Sequence, residues 1–265
     1  MLIKSDNINL IYLKLCEALK NASKVGNTRE LNNVKIVLTD VDDCVVGNRN
    51  ISIPYLCGEL LWYFHGSRDM HFISRFASMW KRISDDGVTS NSAYGYLIKY
   101  AHCFDQVEKV IELLTTDPLS RRAVVNINVP NESVIETKDE PCTIALQFMI
   151  RNNKLYCTSI MRSNDVWRGF PYDIAFFASL QKYIAHRLNL RCGPLTHFVV
   201  SLHVYQNDLD KLELSPDDVA YSIDPIVLSK NASQLYGIIE MSENPKEDIV
   251  KLFTKYGILK AKGNK

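Results

Sequence analysis

The sequence predicts a single α+β domain, because stretches with helical periodicity and stretches with strand character are mixed along its 265 residues. Hydrophobic residues make up 46% of the chain, which supports a substantial buried core and argues against disorder. No internal repeat, low-complexity segment or linker divides the sequence, so one domain over residues 1–265 is the simplest organisation.

The helices are predicted from apolar residues at helical spacing. The first predicted helix carries Lys14 and Glu17 between its apolar residues, which favours an amphipathic helix over a signal peptide. Pro54 at the start of the second suits a first helical turn. The predicted helices cover residues 8–22, 54–65, 69–83, 104–114, 174–188 and 247–256.

Short runs rich in β-branched and aromatic residues predict the strands. Asp117 and Pro118 end the predicted helix 104–114, and three of these strands follow it in succession. The segment 85–92 is rich in turn-forming residues and predicts a loop. The predicted strands cover residues 34–38, 44–46, 123–129, 143–150, 154–161, 197–205 and 235–240.

Charge and cysteine content exclude several classes of protein. Lys and Arg total 31 against 30 Asp and Glu, so the basic excess typical of proteins that bind along nucleic acids is missing. No run approaches 18 apolar residues, which predicts no membrane span. Seven cysteines without a C-x-x-C spacing fit neither a disulfide framework nor a zinc site, and favour a reducing, cytoplasmic compartment.

Cys142 is the candidate nucleophile among these cysteines. It follows Pro141 and a polar segment, so it lies where an accessible loop enters a predicted strand. Arginines nearby would lower the pKa of its thiol and increase the thiolate fraction. The candidate cations are Arg121, Arg122 and Arg162.

Several motifs, taken in order and with their spacing, resemble those of thymidylate synthases. The resemblance extends over roughly residues 8–212, and it is the number of motifs in register that makes it specific. The motifs are E-L-L-W-Y-F-H-G (59–66), Trp80, Y-G (94–95), D-P-L-S-R-R (117–122), P-C (141–142), Q-F (147–148), R-S-N-D (162–165), G-F-P-Y-D-I-A (169–175) and H-V-Y (203–205).

The resemblance implies an α+β fold with a large mixed β-sheet flanked by helices and packed against a second subunit. It also implies 5,10-methylenetetrahydrofolate as co-substrate and a pyrimidine nucleoside monophosphate as the acceptor. Cys142 would attack C6 of the pyrimidine, and Glu59 would organise water and protons near C4 and C5.

The nucleotide-binding residues follow from the same motifs. Arg162 and Ser163 would bind phosphate in their own subunit, whereas Arg121 and Arg122 would reach the phosphate bound by the partner subunit of a homodimer. His203 and Tyr205 would hold the sugar 3′-hydroxyl, and Arg29 is the candidate for a further N-terminal arginine. The implied folate-binding residues are Trp80, Asp165, Tyr94 and Gly169.

Elementary chemistry agrees with these roles, although each residue also has a structural alternative. A phosphate dianion needs several charge-assisted donors, but Arg121 and Arg122 alone also suit a solvated turn. An acid inside an apolar helix, like Glu59, is costly unless it has a partner, which favours function. His203 alone would suit a satisfied core position, and Trp62 and Trp167 are interpreted as core residues.

Asp173 departs from the thymidylate synthase pattern, which has Asn at this position. An amide suits uracil, whereas a carboxyl group suits cytosine: one oxygen accepts from N4–H and the other shares a proton with N3. Mispaired buried polar groups cost roughly 1–3 kcal/mol each, so Asp173 would select and activate cytosine. The alternative role is a cap for the helix that begins nearby.

Further departures resemble the phage deoxycytidylate hydroxymethylases: Thr143 after the cysteine, Met161 before R-S, and N-S-A-Y-G-Y around Tyr94. The tail 257–265 is rich in lysine and poorly suited to bury itself over a dry pocket, which favours water addition and a hydroxymethyl product. The predicted reaction converts dCMP to 5-hydroxymethyl-dCMP and releases tetrahydrofolate, in a host cytoplasm if the source is viral. Methylation of dUMP or dCMP, hydroxymethylation of CMP and a catalytically silent binding protein remain the alternatives.

Overall fold

The structure, a computed structural model, describes residues 1–128, 136–212 and 221–261. Its strands are β1 (Leu2–Ser5), β2 (Ser23–Val25), β3 (Thr28–Leu38), β4 (Val124–Asn126), β5 (Thr143–Arg151), β6 (Lys154–Asp165), β7 (Arg191–Tyr205), β8 (Tyr221–Ile223) and β9 (Leu259–Ala261). Its α-helices are α1 (Ile8–Lys20), α2 (Ile53–His65), α3 (Met70–Ser74), α4 (Trp80–Ile83), α5 (Tyr94–Lys99), α6 (Gln106–Thr116), α7 (Phe170–Arg187), α8 (Pro225–Glu240) and α9 (Pro245–Lys255), and a 3₁₀-helix covers Gln206–Leu212.

A mixed seven-stranded sheet forms the centre, in the order β1-β3-β7-β6-β5-β4, with β2 paired to β3. The pair β6–β7 is parallel, while β3–β7 and β5–β6 are antiparallel. In this register Asp165 lies beside His203 and Ser159 beside His197. The predicted α+β architecture, a large mixed sheet flanked by helices, is therefore confirmed.

Helices α2 and α7 carry the residues that matter most for the site. Most of α2 is buried, because its own residues are apolar on every face of the helix. Gly66 ends α2 at a φ of +84°, a left-handed conformation that favours glycine. Gly95 of α5 is needed for a different reason: an added Cβ would lie 2.0 Å from the carbonyl oxygen of Tyr63, so only glycine lets α5 approach α2 this closely.

Two of the predicted strands are wrong. The segment 44–46 is buried but forms no strand, because it packs beside α1, where the Asn9 side chain accepts from the backbone N–H groups of Gly47 and Asn48. The segment 235–240 is the end of helix α8. Buried residues in α8 recur at helical spacings of three and four: Leu228, Ala232, Leu235 and Ile239. A segment of six residues is too short to show this pattern.

The predicted helix over 69–83 is interrupted. Helix α3 ends at Ser74 and α4 begins at Trp80. Arg75 in the gap donates to the carbonyl groups of Ile239 and Glu240 at 2.9 and 3.0 Å. These hydrogen bonds hold the segment between α3 and α4 against the end of α8. Tertiary contacts thus override the local helical pattern.

The C-terminal segment is partly apolar and partly outside the described residues. Ile258 and Leu259 are buried, and β9 pairs antiparallel with β8. These two apolar side chains thus pack into the protein, whereas residues 262–265 lie beyond the described range, and the prediction that the tail does not cover the active site stays a prediction. Within the described ranges, no helix is both long and apolar enough to cross a membrane.

Candidate active site

Cys142 lies directly before β5, at the point predicted from the sequence, and its side chain is half-buried. The Arg162 guanidinium donates through Nε to the carbonyl of Pro141 at 3.1 Å and through Nη2 to that of Glu140 at 3.0 Å. The backbone N–H of Arg162 also donates to the carbonyl of Cys142 at 2.9 Å. Arg162 therefore holds the loop that presents the thiol.

Burial raises the pKa of the Cys142 thiol above its usual value, and the nearby Arg162 opposes this only in part. The prediction that neighbouring cations depress this pKa is therefore wrong for the ligand-free protein. Burial dominates because the thiolate loses its hydration in the pocket, and the Asp173 carboxylate disfavours a second negative charge. A thiolate would have to form as the ligand binds.

Glu59 is buried in the middle of α2, with two tyrosines one turn away on either side. Its Oε1 accepts from the Tyr55 hydroxyl at 2.6 Å and from the Tyr63 hydroxyl at 3.5 Å. Trp80 in turn donates through Nε1 to the Tyr55 oxygen at 3.1 Å. Burial, with the Asp173 charge, raises the pKa of Glu59 to about 8, so Glu59 carries a proton at neutral pH.

Asp173 lies in the first turn of α7 and accepts from Nδ2 of the buried Asn164 through Oδ2, at 2.8 Å. Burial raises the pKa of Asp173 to about 7, and this hydrogen bond opposes the increase. Gly169 lies against the pair: an added Cβ would stand 2.9 Å from Asn164 Nδ2 and 3.0 Å from Asp173 Oδ2. The cap of α7 is at Gly169, without a side-chain hydrogen bond, so Asp173 is not that cap.

A buried polar chain extends behind Asp173. Oδ1 of Asn164 lies 3.2 Å from Nε2 of His197, and Nδ1 of His197 lies 2.8 Å from the hydroxyl of Ser159. Ser159 and His197 have no exposed surface, and burial lowers the pKa of His197 to about 3. His197 is therefore a neutral imidazole throughout the physiological range.

The predicted sugar- and phosphate-binding residues lie along the adjacent strand ends. The Ser163 hydroxyl lies 3.3 Å from Nδ1 of His203, and the rings of His203 and Tyr205 meet edge to face. Arg29 lies on β3, beside the end of β7, but its Nη1 donates to the carbonyl of Ala22 at 2.8 Å. Arg29 is therefore paired with the residue between His203 and Tyr205, but one of its guanidinium donors is already used within its own part of the fold.

Arg121 and Arg122 are exposed near the β4 edge of the sheet. Arg122 forms an exposed ion pair with Asp117 at 3.4 Å, and the carbonyl of Arg121 accepts from the Gln147 side chain. In the described part of the chain, neither guanidinium contacts Cys142. The structure therefore does not bring these two arginines into the cluster formed by Glu59, Cys142, Arg162 and Asp173.

The predicted folate residues differ in their surroundings. Trp80 is buried and packs edge to face on Trp62, so most of its ring belongs to the core. Tyr94 is buried and stacked on Tyr63, and burial raises its hydroxyl pKa well above the usual value, with Asp173 and Cys142 contributing. These interactions place the Tyr94 hydroxyl beside the reactive cluster.

Asp165 has one occupied and one available carboxylate oxygen. Oδ1 accepts from the backbone N–H groups of Trp167 and Arg168 at 2.8 and 3.0 Å. Oδ2 is buried and receives no hydrogen bond from the described residues, and Arg168 Nε lies 3.8 Å away. Trp167 lies under the Arg49 guanidinium, at 3.7 Å from its ring centre, on the edge of the core.

Sequence reasoning missed the residues that support the two acids. Tyr55 and Tyr63 could have been found, since they stand four residues before and after Glu59 and so share its helix face. Asn164 stands in the R-S-N-D motif, but the sequence gives no sign that it contacts His197 and Ser159, because 38 positions separate Ser159 from His197. Only the pairing of β6 with β7 brings them together.

The chain belongs to the thymidylate synthase family. Residues 16–239 match the sequence profile of that family, which covers the sheet apart from β1, the two central helices and every residue of the cluster described above. This agrees with the resemblance drawn from the motifs and with the mixed sheet of the structure.

Two curated relatives are similar to the chain. A protein of Bacillus phage SP01 named deoxyuridylate hydroxymethyltransferase is 34% identical over 173 residues, or 60% of this chain and 45% of the relative. A thymidylate synthase of Mycoplasma pneumoniae is 29% identical over 180 residues, or 68% of this chain and 62% of the relative. The matches thus span about half to three-fifths of the relatives' lengths.

Proposed function

We propose that the protein transfers a one-carbon unit from 5,10-methylenetetrahydrofolate to C5 of dCMP and forms 5-hydroxymethyl-dCMP. The observation that carries the substrate is Asp173, a carboxyl group beside Cys142 at the position where thymidylate synthases have Asn. Burial raises its pKa to about 7, so a proton is available at neutral pH for N3 of cytosine. The amino group at C4 donates to the other carboxyl oxygen, whereas uracil would need the proton on that oxygen, because O4 is an acceptor.

Cys142 supplies the covalent step. Its sulfur adds to C6 of the ring, the C5–C6 double bond opens, and the electron pair becomes available at C5. C5 forms a bond to the one-carbon unit and loses its proton. The carbon–nitrogen bond that joins this unit to the folate then breaks, tetrahydrofolate leaves, and water adds to the methylene carbon. Loss of the sulfur from C6 restores the double bond, so the enzyme is regenerated without oxidation or reduction.

Glu59 handles protons on the same face of the cluster. Because it is protonated at neutral pH and receives the Tyr55 hydrogen bond, it can donate through its own O–H and later accept a proton. Arg162 binds the phosphate while it keeps the Cys142 loop in place, and Ser163, His203 and Tyr205 bind the sugar and phosphate. These roles follow the motif-based predictions for the residues at the ends of β6 and β7.

The donor set beside the cluster fits a reduced folate. Oδ2 of Asp165 receives no hydrogen bond from the described residues and is an acceptor for a pterin N–H group. Gly169 lies against Asp173, and the Tyr94 hydroxyl is coupled to Asp173 and Cys142, so both are beside the proposed pyrimidine site. The folate supplies the one-carbon unit at the oxidation level of formaldehyde. Arg121 and Arg122, exposed near the sheet edge, reach the phosphate of a partner subunit in the proposed homodimer.

The hydroxymethyl product follows if water, rather than hydride, adds to the transferred carbon. The phage relative is named a hydroxymethyltransferase, which supports this outcome. The same name refers to deoxyuridylate, so hydroxymethylation of dUMP is the second candidate function. Asp173 favours the cytosine nucleotide, because a carboxylate facing O4 of uracil lacks a proton between two acceptors.

The test incubates purified protein and methylenetetrahydrofolate with dCMP, CMP or dUMP, and each product is weighed by mass spectrometry. We expect 5-hydroxymethyl-dCMP from dCMP, tritium release from its C5 position and no rise in dihydrofolate absorbance. A hydroxymethylated product from dUMP alone would support the second candidate. A methylated product with rising dihydrofolate absorbance would overturn the hydroxymethyl assignment.

A further inference from the structure

The three buried residues behind Asp173 form a chain with a defined direction. Asn164 Nδ2 donates to Asp173 Oδ2, which leaves Oδ1 of Asn164 as the atom that faces His197. That atom is an acceptor, so Nε2 of His197 carries the proton and Nδ1 does not. Nδ1 then accepts from the hydroxyl of Ser159. Every link from Ser159 to Asp173 is thereby satisfied.

The opposite direction of the chain would have a chemical consequence. If the Asn164 amide were turned over, its oxygen would face Oδ2 of Asp173, and this contact would require a proton on Oδ2. His197 would then need its proton on Nδ1. The observed direction therefore makes Oδ2 an acceptor and leaves Oδ1, which no described residue hydrogen-bonds, as the oxygen that can carry a proton.

Two further features hold the chain in place. His197 packs between the rings of Phe170 and Phe177, with centroid distances of 5.9 and 5.7 Å, so the imidazole cannot swing away. Gly169 leaves just enough space for the Asn164–Asp173 hydrogen bond, since an added Cβ would lie about 3 Å from both of its atoms.

The Asp173 charge raises the pKa of several neighbouring groups. They are Glu59 and Tyr63 on α2, Tyr94 on α5, and Cys142 in the loop before β5. Each of these groups is neutral when protonated, so none supplies a positive charge that would fix the carboxylate. Asn164 is the group that hydrogen-bonds Asp173 directly, and its orientation is set from behind by His197.

We propose that Ser159, His197 and Asn164 are positioning residues that keep Oδ2 of Asp173 as an acceptor and direct its proton to Oδ1, the oxygen offered to the base. The chain thus contributes to the choice between cytosine and uracil without touching the nucleotide. This inference rests on the proposed function, because it assigns base reading to Asp173.

The test compares His197→Leu with His197→Gln. Leucine removes both ring nitrogens, whereas the glutamine amide retains an N–H near the position of Nε2 and can still donate to Asn164. Ser159→Ala is a smaller change that removes only the far end of the chain. The pKa of Asp173 is read by ¹³C NMR of labelled aspartate carboxyl groups without nucleotide, with Asp173→Asn identifying the signal, and dCMP and dUMP affinities are measured in a Cys142→Ser background.

In His197→Leu we expect the Asp173 pKa to rise, because the carboxylate loses an oriented donor, and the dCMP:dUMP affinity ratio to fall about fivefold or more. His197→Gln should restore both. An unchanged Asp173 titration and an unchanged affinity ratio in His197→Leu would overturn the proposal, and if that variant does not fold, the same comparison is made with Ser159→Ala. A parent protein that prefers dUMP would refute the proposed substrate. The Asp173 titration without nucleotide would still test whether the hydrogen bonds from Ser159 through His197 and Asn164 control the carboxyl group.

Discussion

The carboxyl groups of Glu59, which is buried, and Asp173, which is half-buried, come from different helices and lie in one cluster, in which each accepts a hydrogen bond from its own neighbour. Burial and the charge of Asp173 raise the pKa of Glu59 to about 8, and burial raises that of Asp173 to about 7. Two acids that are protonated close to neutral pH suit a reaction that moves protons at a pyrimidine ring.

Replacing Asp173 by Asn should change the preferred base. The amide of the variant matches uracil, and mispairing of a buried polar group costs roughly 1–3 kcal/mol. We therefore expect the ratio of kcat/KM for dCMP over dUMP to fall by about tenfold or more. The exposed Asp210→Asn variant serves as the matched control and should leave the ratio unchanged. An unaltered ratio in Asp173→Asn would contradict the base-reading role.

Replacing Cys142 by Ser should abolish turnover and preserve nucleotide binding. A serine hydroxyl at this position adds poorly to C6, so tritium release from C5 should fall at least about 1,000-fold. Calorimetry should still detect dCMP binding, since the phosphate and base contacts remain. Cys103→Ser, at an exposed position, is the control and should retain full activity. Intact turnover in Cys142→Ser would refute the covalent scheme.

Stability should depend on the protonation of Glu59. Its pKa is raised on folding from the ordinary 4.5 to about 8, so the folded state binds the proton more tightly and loses stability as pH rises between these values. A neutral Gln avoids this loss. Glu59→Gln should therefore gain stability relative to the parent as pH increases from 5 to about 8, by roughly 1–3 kcal/mol.

Urea unfolding of both proteins across this pH range measures the difference, and Glu240→Gln is an exposed control on a different helix. A difference in stability that stays constant with pH would show that Glu59 is ionised in the folded protein. The same Glu59→Gln protein should turn over dCMP more slowly, because it cannot exchange a proton with the base.

Mixed dimers can decide where Arg121 and Arg122 act. One subunit carries Cys142→Ser, and the other carries Arg121→Ala with Arg122→Ala. If these arginines serve the partner's site, one site of each heterodimer is intact. Random pairing of equal amounts should then yield about a quarter of the parent activity, although each variant alone is inactive.

If the arginines served their own subunit, both sites of the heterodimer would be defective and mixing would restore nothing. Sedimentation of the unmixed variants provides the control for assembly, since a monomeric variant could not complement. Lys109→Ala, exposed on α6, tests whether any loss of surface charge has the same effect.

The sequence predicts the parts of the fold whose pattern is local. Helix α2 and strand β5 were predicted to within one residue at each end, because their apolar patterns extend over their full length. Helix α7 and strand β7 were predicted in the right place, but they begin four and six residues earlier than expected. The errors at 44–46 and 235–240 arose in short apolar segments, in which strand and helix patterns look alike.

The residues of the site likewise include some that could be predicted from local sequence and some that could not. Cys142, Arg162 and Asp173 stand in motifs whose residues are neighbours along the chain, so their chemistry could be inferred from the sequence. The net direction of the Cys142 pKa could not, because burial depends on the complete packing around the thiol and outweighs the Arg162 charge.

The primary structure alone predicted the class of fold, which the structure confirms, and it is the source of the proposals that Cys142 is the nucleophile and that Asp173 replaces an amide. Tertiary structure was required for the chain from Ser159 through His197 and Asn164 to Asp173, since its members come from two strands and a helix that meet only in the folded protein. Hydrogen bonds and burial depend on distances in space, and the order of residues along a chain does not specify those distances.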